Sequence, residues 1–175
     1  MEILVFVEIP KLSCVKYEFD EKLKSLKVDR FLYGPNYFPF EYGFIVGTEG
    51  EDGDPLDCVL ITSFPTFPGC FIEARPIGML EMIDEEGVDH KILAVPKEKV
   101  DPRFSHLDDI SDLPESLKDE IRDFFETYKR LEPGKWVRVK NFRGKKVAQR
   151  IIERAKKRFK VKKARKEEGA EEEVE

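Results

Sequence analysis

Apolar and polar residues alternate with a period of two through most of the first half of the chain. In "CVKYEF", Val15, Tyr17 and Phe19 fall on one face and Lys16 and Glu18 on the other, the pattern of a half-buried strand. Further strands are predicted at "MEILVFVEIP", "KLKSLKV", "GFIVG", "DCVLITS", "CFIEARPIGMLEMI", "KILAVP" and "KWVRVK", punctuated by Gly and Pro. Two segments break this rhythm with helical spacing. "PESLKDEIRDFFETYKRL" places Leu117, Ile121, Phe124, Phe125, Tyr128 and Leu131 on one stripe, with Pro114 available for its first turn and "EPG" as its stop. "KKVAQRIIERAKKRF" aligns Val147, Ala148, Ile151, Ile152, Ala155 and Phe159. Many short strands joined by turns predict a closed β-barrel, with these amphipathic helices flanking it in a mostly β, α+β fold.

One domain is expected over residues 1–159. Beyond it, 160–175 switches from basic to acidic with little to bury, so a charged, mobile tail is expected there. The first segment carries Glu2 and Glu8, lacks a basic start and is too short to cross a bilayer. It is read as a strand, and the protein as cytoplasmic with no membrane partner. Cys14, Cys58 and Cys70 are odd in number, show no C-x-x-C spacing and sit in apolar surroundings, so buried, reduced thiols are expected.

Composition sharpens this picture. Apolar residues make up 41% of the chain and include 14 Phe, enough for a packed core. Acidic residues outnumber basic ones 36 to 31, which argues against a nucleic-acid partner. Charged residues reach 38%, while Asn36, Asn141 and Gln149 are the whole complement of amide side chains, a usage that points to a thermophilic protein.

The candidate chemistry is concentrated in two acidic clusters. "EDGDPLDCVL" places Asp52, Asp54 and Asp57 within six positions, and like charges so crowded need water or a cation to offset them. Asp-Gly and Asp-Pro are also common turn dipeptides, so this spacing leaves both a solvated turn and a metal site open. An EF-hand is excluded: with Asp52 first, Asp57 stands where the loop needs glycine and Ser63 where it needs glutamate. The second cluster, "MIDEEGVDHKIL", is predicted as a hairpin with Glu86 and Gly87 in its turn, Asp84 leaving one strand and Asp89 entering the next. Asp89 and Lys91 share a face, as expected where a metal-bound anion lies between opposite charges. Oxygen ligands without nearby His or Cys favour Mg²⁺, and Mg²⁺ sites of this kind handle phosphate. Lys16, Arg30, Tyr42, Lys91, Tyr128 and Lys129 are the candidate phosphate-binding side chains, although packing is the stronger claim on Tyr128, which lies on the apolar stripe. His90 and His106 have no partner at ligand spacing and are not placed in the chemistry.

With these residues in view, the sequence resembles the soluble family I inorganic pyrophosphatases. The family hexapeptide stands here within "DGDPLDCVL". Around it "VEIP", "KYEFD", "VDRF", "FPFEYGF", "RPIGML", "DEEGVDHK", "LAVP", "DDISDLP" and "FFETYKRLEPGKWV" follow in family order from Glu8 to Trp136. The resemblance implies a five-stranded OB-like barrel with the site at its open face, and a homohexamer. It implies pyrophosphate as substrate and several Mg²⁺ per active site. Asp52, Asp57 and Asp89 would hold the first ion, with Asp57 reaching a second. Asp84 would join Asp89 on a substrate-borne ion, and Glu8 and Glu18 would support the outer ions. Asp54 would be the catalytic base. Lys16, Arg30, Tyr128 and Lys129 would bind phosphoryl groups, with Tyr42 and Lys91 beside them. Two positions depart from the family pattern: Phe38 stands where tyrosine is common, and Glu41 where asparagine is frequent.

Overall fold

In a computed structural model the backbone is described for residues 1–172 and the side-chain surroundings for residues 1–167. The strands in chain order are β1 (Ile3–Ile9), β2 (Val15–Asp20), β3 (Ser25–Phe31), β4 (Glu41–Ile45), β5 (Asp57–Leu60), β6 (Phe71–Asp84), β7 (Gly87–Val88), β8 (Lys91–Pro96) and β9 (Val137–Gly144). The helices are α1 (Glu115–Thr127) and α2 (Lys145–Glu172). Five strands close into a ring in the order β1, β4, β5, β8, β6 and back to β1, with β5 and β8 its one parallel pair. Strand β6 is long enough to serve the ring with its first half and to pair β9 and β7 with its second. The hairpin β2–β3 stands apart as its own two-stranded sheet. The mostly β architecture with two helices agrees with the fold read from the sequence.

Alternation along the ring strands creates two apolar clusters. Val5, Ile45, Leu60, Ala74 and Ala94 come from all five ring strands, and α2 adds Ala148 and Ile152 to the same cluster. On the opposite face, Val59, Leu93 and Val95 meet Ile121, Phe124 and Phe125 of α1. Each such Phe stabilises the fold by about 1.5–3 kcal/mol in burial alone. Close approach is required where β1 crosses β4: a Cβ on Gly43 would lie 1.8 Å from the Phe6 carbonyl oxygen, so only glycine fits.

Ladder irregularities aim side chains that matter later. Val7 pairs with Gly43 but Ile9 pairs with Tyr42, leaving Glu8 as an extra residue in β1. The bulge also moves Ile9 to the α1-side cluster, whereas Val5 and Val7 belong to the other. In the hairpin, Lys16 pairs with Arg30 and Tyr17 with Val28, so Asp29 is the extra residue there.

Several expectations need correction. Helix α1 stops at Thr127, Tyr128 is its C-cap, and Leu131 is 62% exposed rather than part of the buried stripe. Cys14 is exposed, whereas Cys58 is buried and Cys70 half-buried; all three are free thiols. The second helix does not end near Phe159 but continues to Glu172, so 160–172 is helical, and 173–175 of the expected tail lie outside the described residues. Lys, Arg, Ala and Glu are strong helix formers, and a helix already anchored by packing extends without a new nucleation cost.

Candidate active site

All thirteen residues singled out from the sequence line one open cavity of about 520 Å³. Strands β1 to β6 and β8, the loop before β5 and the segment after α1 deliver them. The β1 bulge brings Glu8, and the β2–β3 hairpin brings Lys16, Glu18 and Arg30. Tyr42 comes from β4, Asp52 and Asp54 from the loop before β5, and Asp57 from the start of β5. Asp84 closes β6, Asp89 and Lys91 lie at the entry to β8, and Tyr128 and Lys129 follow α1. Because the sites come from separate strand ends, their spacing is set by the ring rather than by any one loop.

Ten carboxylates face five cations across this cavity. The Asp84–Asp89 side is well paired. Lys91, only 4% exposed, donates to Asp57 Oδ2 and Asp89 Oδ1 at 2.6 Å each. Burial alone would weaken its charge, but Asp57, Tyr42 and Asp89 win and hold the ammonium well above the usual lysine range. Lys129 donates to Asp84 Oδ2 at 2.9 Å and lies 3.1 Å from Glu85 Oε2, which Lys135 also approaches through Oε1 at 2.8 Å. Partial burial opposes ionisation of Glu85, yet its hydrogen bonds to Lys135, Lys129 and the backbone pull it down to about 2.

The Asp52–Asp57 side differs. Asp52 Oδ1 accepts from the Asp54 backbone N–H at 3.0 Å, and Gly50 N–H donates to the Asp54 carbonyl at 2.6 Å. Gly53 between them takes φ +94°, which a side chain would strain. The turn therefore presents the Asp54 carboxyl to solvent. Burial, then the charges of Asp52 and Asp57, raise Asp54 above the ordinary aspartate value. Glu8 accepts from Phe19 N–H at 2.8 Å, but burial dominates and pushes it up to about 7.

Donor type and charge both suit a hard divalent cation: the acidic lining is all oxygen, and the carboxylates outnumber the cations two to one. Among the described residues, no three Asp, Glu, His or Cys side chains stand close enough together to close on one ion. Asp52, Asp57 and Asp89 are thus neighbours around the cavity rather than one tight set. Lys91 bridges Asp57 and Asp89 directly, so the opposite-charge pair read from "DHK" is a contact without an intervening group.

Sequence reasoning missed four charged residues that line the cavity: Asp29, Glu85, Glu86 and Lys135. Asp29 meets both Lys16 and Arg30, and its adjacency to Arg30 in "VDRF" was the available signal. Glu132 is buried with Oε1 2.7 Å from Arg30 Nε, a contact made by charge without hydrogen-bond alignment. The two departures resolve as packing. Phe38 is buried against Phe40, Tyr42, Phe124 and Tyr128. Glu41 is fully buried and accepts from Thr66 N–H at 2.6 Å and Thr66 Oγ1 at 3.1 Å, tying the 61–70 loop to β4. Tyr128 serves both ends: its ring stacks on Phe124 while the residue lines the cavity. His90 Nδ1 accepts from Met82 N–H, a structural bond.

The comparisons with known proteins agree. The family model described as Inorganic pyrophosphatase matches residues 5–160. The inorganic pyrophosphatase of Nanoarchaeum equitans is 52% identical over 160 residues, 91% of this chain and 99% of its own. That of Aeropyrum pernix is 54% identical over 156 residues, 89% of each chain. The crystal structure of the Thermus thermophilus inorganic pyrophosphatase superposes with a TM-score of 0.88 at 43% identity, covering 91% of each chain. The Helicobacter pylori enzyme gives 0.88 at 44% identity, over 91% of this chain and 94% of the other.

Proposed function

The chain belongs to the inorganic pyrophosphatase family and hydrolyses pyrophosphate to two phosphates; we propose that it does so in the acidic cavity, with Mg²⁺ as its metal and Asp54 as general base. The observation that carries this assignment is the meeting of ten carboxylates and five cations in one open cavity. Asp52, Asp57 and Asp89 are assigned to the first ion, with Asp57 reaching a second. Asp84 and Asp89 are assigned to a substrate-borne ion, and Glu8 and Glu18 to the outer ions. Glu8 and Asp54 are raised first by burial and then by neighbouring carboxylates, and a bound cation would offset that like charge. When bound, Mg²⁺ would supply charge neutralisation and lower the pKa of a water molecule, so that loss of a proton to a nearby base makes it a nucleophile toward phosphorus.

The chain's own groups do the rest. Asp54, exposed and without a cationic partner at bonding distance, can take the proton of the attacking water at a carboxylate oxygen; its raised pKa makes it a better base. Lys16, Arg30, Tyr128 and Lys129 orient the phosphoryl oxygens, with Tyr42 and Lys91 beside them. Lys91 also holds Asp57 and Asp89 at fixed separation.

Three further proposals have narrower support. A homohexamer agrees with the exposure of Leu4 on β1, Phe71 on β6 and Val46 just past β4, and molar mass from light scattering tests it. A cytoplasmic setting agrees with the acidic composition and with the fact that no described helix is long and apolar enough to cross a membrane. Thermophily agrees with the charged, amide-poor composition, and a melting temperature in the mesophile range would count against it.

The direct test is phosphate release from pyrophosphate with and without Mg²⁺, with ATP and tripolyphosphate in parallel and a chelator control. Fast release confined to pyrophosphate and requiring Mg²⁺ is expected. Release that survives the chelator, or that favours ATP, would overturn the assignment.

A further inference from the structure

The C-terminal part of α2 reaches the most exposed stretch of the active site. Residues 47–56 carry Asp52 and Asp54 between β4 and β5, and Asp52, Gly53 and Asp54 are all exposed. Four contacts tie this loop to α2. Glu49 N–H donates to the Ala155 carbonyl at 3.1 Å, and Arg158 Nε donates back to the Glu49 carbonyl at 2.8 Å. One turn further, Lys162 Nζ pairs with Glu49 Oε2 at 2.8 Å and donates to the Gly53 carbonyl at 3.3 Å. Lys162 lies beyond residue 160, where the family match ends. It lines a shallow groove with Arg158, Val161 and Glu49.

We propose that Lys162 is a positioning residue, fixing the Asp52–Gly53–Asp54 turn through the Gly53 carbonyl so that both carboxylates point into the cavity. Gly53 is the one residue between the assigned metal ligand and the assigned base, and its positive φ leaves the turn without a side chain of its own to pack. A glycine turn so exposed samples other conformations unless its peptide groups are held. The Asp52 side chain holds the turn from within, through the Asp54 N–H; Lys162 holds the outward-facing carbonyl from a rigid helix. Neither Lys162 nor Arg158 lines the cavity, so the effect is transmitted through the loop and not through contact with substrate.

This inference rests on the assignment of Asp52 to a metal, and its test keeps the two separable. In the full chain, Lys162→Met, Lys162→Arg, Lys163→Met and Asp52→Asn are compared by Mn²⁺ binding without substrate, followed by electron paramagnetic resonance, and by the Mg²⁺ dependence of pyrophosphate hydrolysis. Among the described residues, Lys163 pairs only along its own helix, with Glu167, and serves as the control. Lys162→Met is expected to weaken Mn²⁺ binding roughly tenfold, the lower end of the loss from removing an outer positioning partner. KM for pyrophosphate at saturating Mg²⁺ should stay near that of the parent. Lys162→Arg should recover most of the loss and Lys163→Met should show none. Equal Mn²⁺ binding in Lys162→Met and Lys163→Met, with Asp52→Asn impaired, would overturn the positioning role alone. Unimpaired binding in Asp52→Asn would overturn the metal assignment beneath it.

Discussion

The two acidic clusters of the cavity are built in opposite ways. At the β6–β7 hairpin, Asp84 is tied to Lys129 and Asp89 to Lys91, and the backbone on either side is locked in ladders. In the loop before β5, Asp52 and Asp54 are exposed, and among the described residues Asp54 meets no cation at bonding distance, so the turn is ordered by the Asp52 side chain on the Asp54 N–H, by the Gly50–Asp54 backbone bond and by the reach of Lys162. The contrast teaches where structure and chemistry divide. Asp57, Asp84 and Asp89 are neutralised by buried lysines, whereas Asp54, the carboxylate proposed to take the proton, is left unpaired, which keeps its basicity available.

The largest break of this contrast is Asp54→Asn. Amide and carboxylate are nearly isosteric, so the turn should persist while the base is lost. The maximal hydrolysis rate is expected to fall by about 10²–10⁴-fold. Mn²⁺ binding should be largely retained, because Asp52 and Asp57 are untouched. Full activity in this variant would remove Asp54 from the mechanism.

Lys91→Met breaks the paired side instead. It leaves Asp57 and Asp89 facing each other without their common cation, in a site where Lys91 itself is nearly inaccessible. Losing one partner of a buried ion pair costs about 3–5 kcal/mol, and partial exposure of both carboxylates places this case near the lower figure. Thermal unfolding should show a fall of several degrees, and added Mg²⁺ should restore part of it by offsetting the same two charges. A variant as stable as the parent would show that the pairs do not order the site.

Much of this contrast was legible in the sequence, because both clusters are contiguous: "DGDPLD" and "DEEGVDHK" announce themselves within single segments. A closed β architecture was legible too, from period-two alternation broken by Gly and Pro, whereas its five-strand count came only with the family resemblance. What escaped were features that depend on register or on distant contacts. Nothing local marks Glu8 and Asp29 as the extra residues of bulges, because a bulge is defined by its partner strand. The continuation of α2 past Phe159 was hidden because it buries almost no apolar surface; its anchors are Glu49 and Gly53, more than a hundred positions away. Glu41 looked like a charge without purpose until Thr66 was found against it.

Glu41 sharpens the comparison by offering a third way to keep a carboxylate: buried, with neutral hydrogen-bond donors. Burial raises its pKa, the Thr66 bonds oppose that rise, and burial prevails. A carboxyl whose folded pKa lies above its unfolded value contributes stability that is complete below the unfolded value. That contribution is lost as pH rises through the folded one. Glu41→Gln keeps an oxygen for the Thr66 N–H and removes the charge. Its melting temperature should therefore match the parent in acid and exceed it by a few degrees at most above neutrality. A parent that gains on the variant as pH rises would mean that Glu41 is stabilised as an anion.

The smallest effect tests whether pairing also tunes the cations. Glu132 sits behind Arg30, 2.7 Å from Nε, while Asp29 meets the guanidinium at NH1. If Arg30 holds a phosphoryl group, Glu132 acts by fixing the plane of the guanidinium rather than by touching substrate. Glu132→Gln keeps the shape but weakens the hold. KM for pyrophosphate should rise by roughly two- to fivefold, the range of an ion pair worth up to about 1 kcal/mol, with the maximal rate little changed. A fall in rate at unchanged KM would instead place Arg30 among the groups that act only in the transition state, and Glu132 with it.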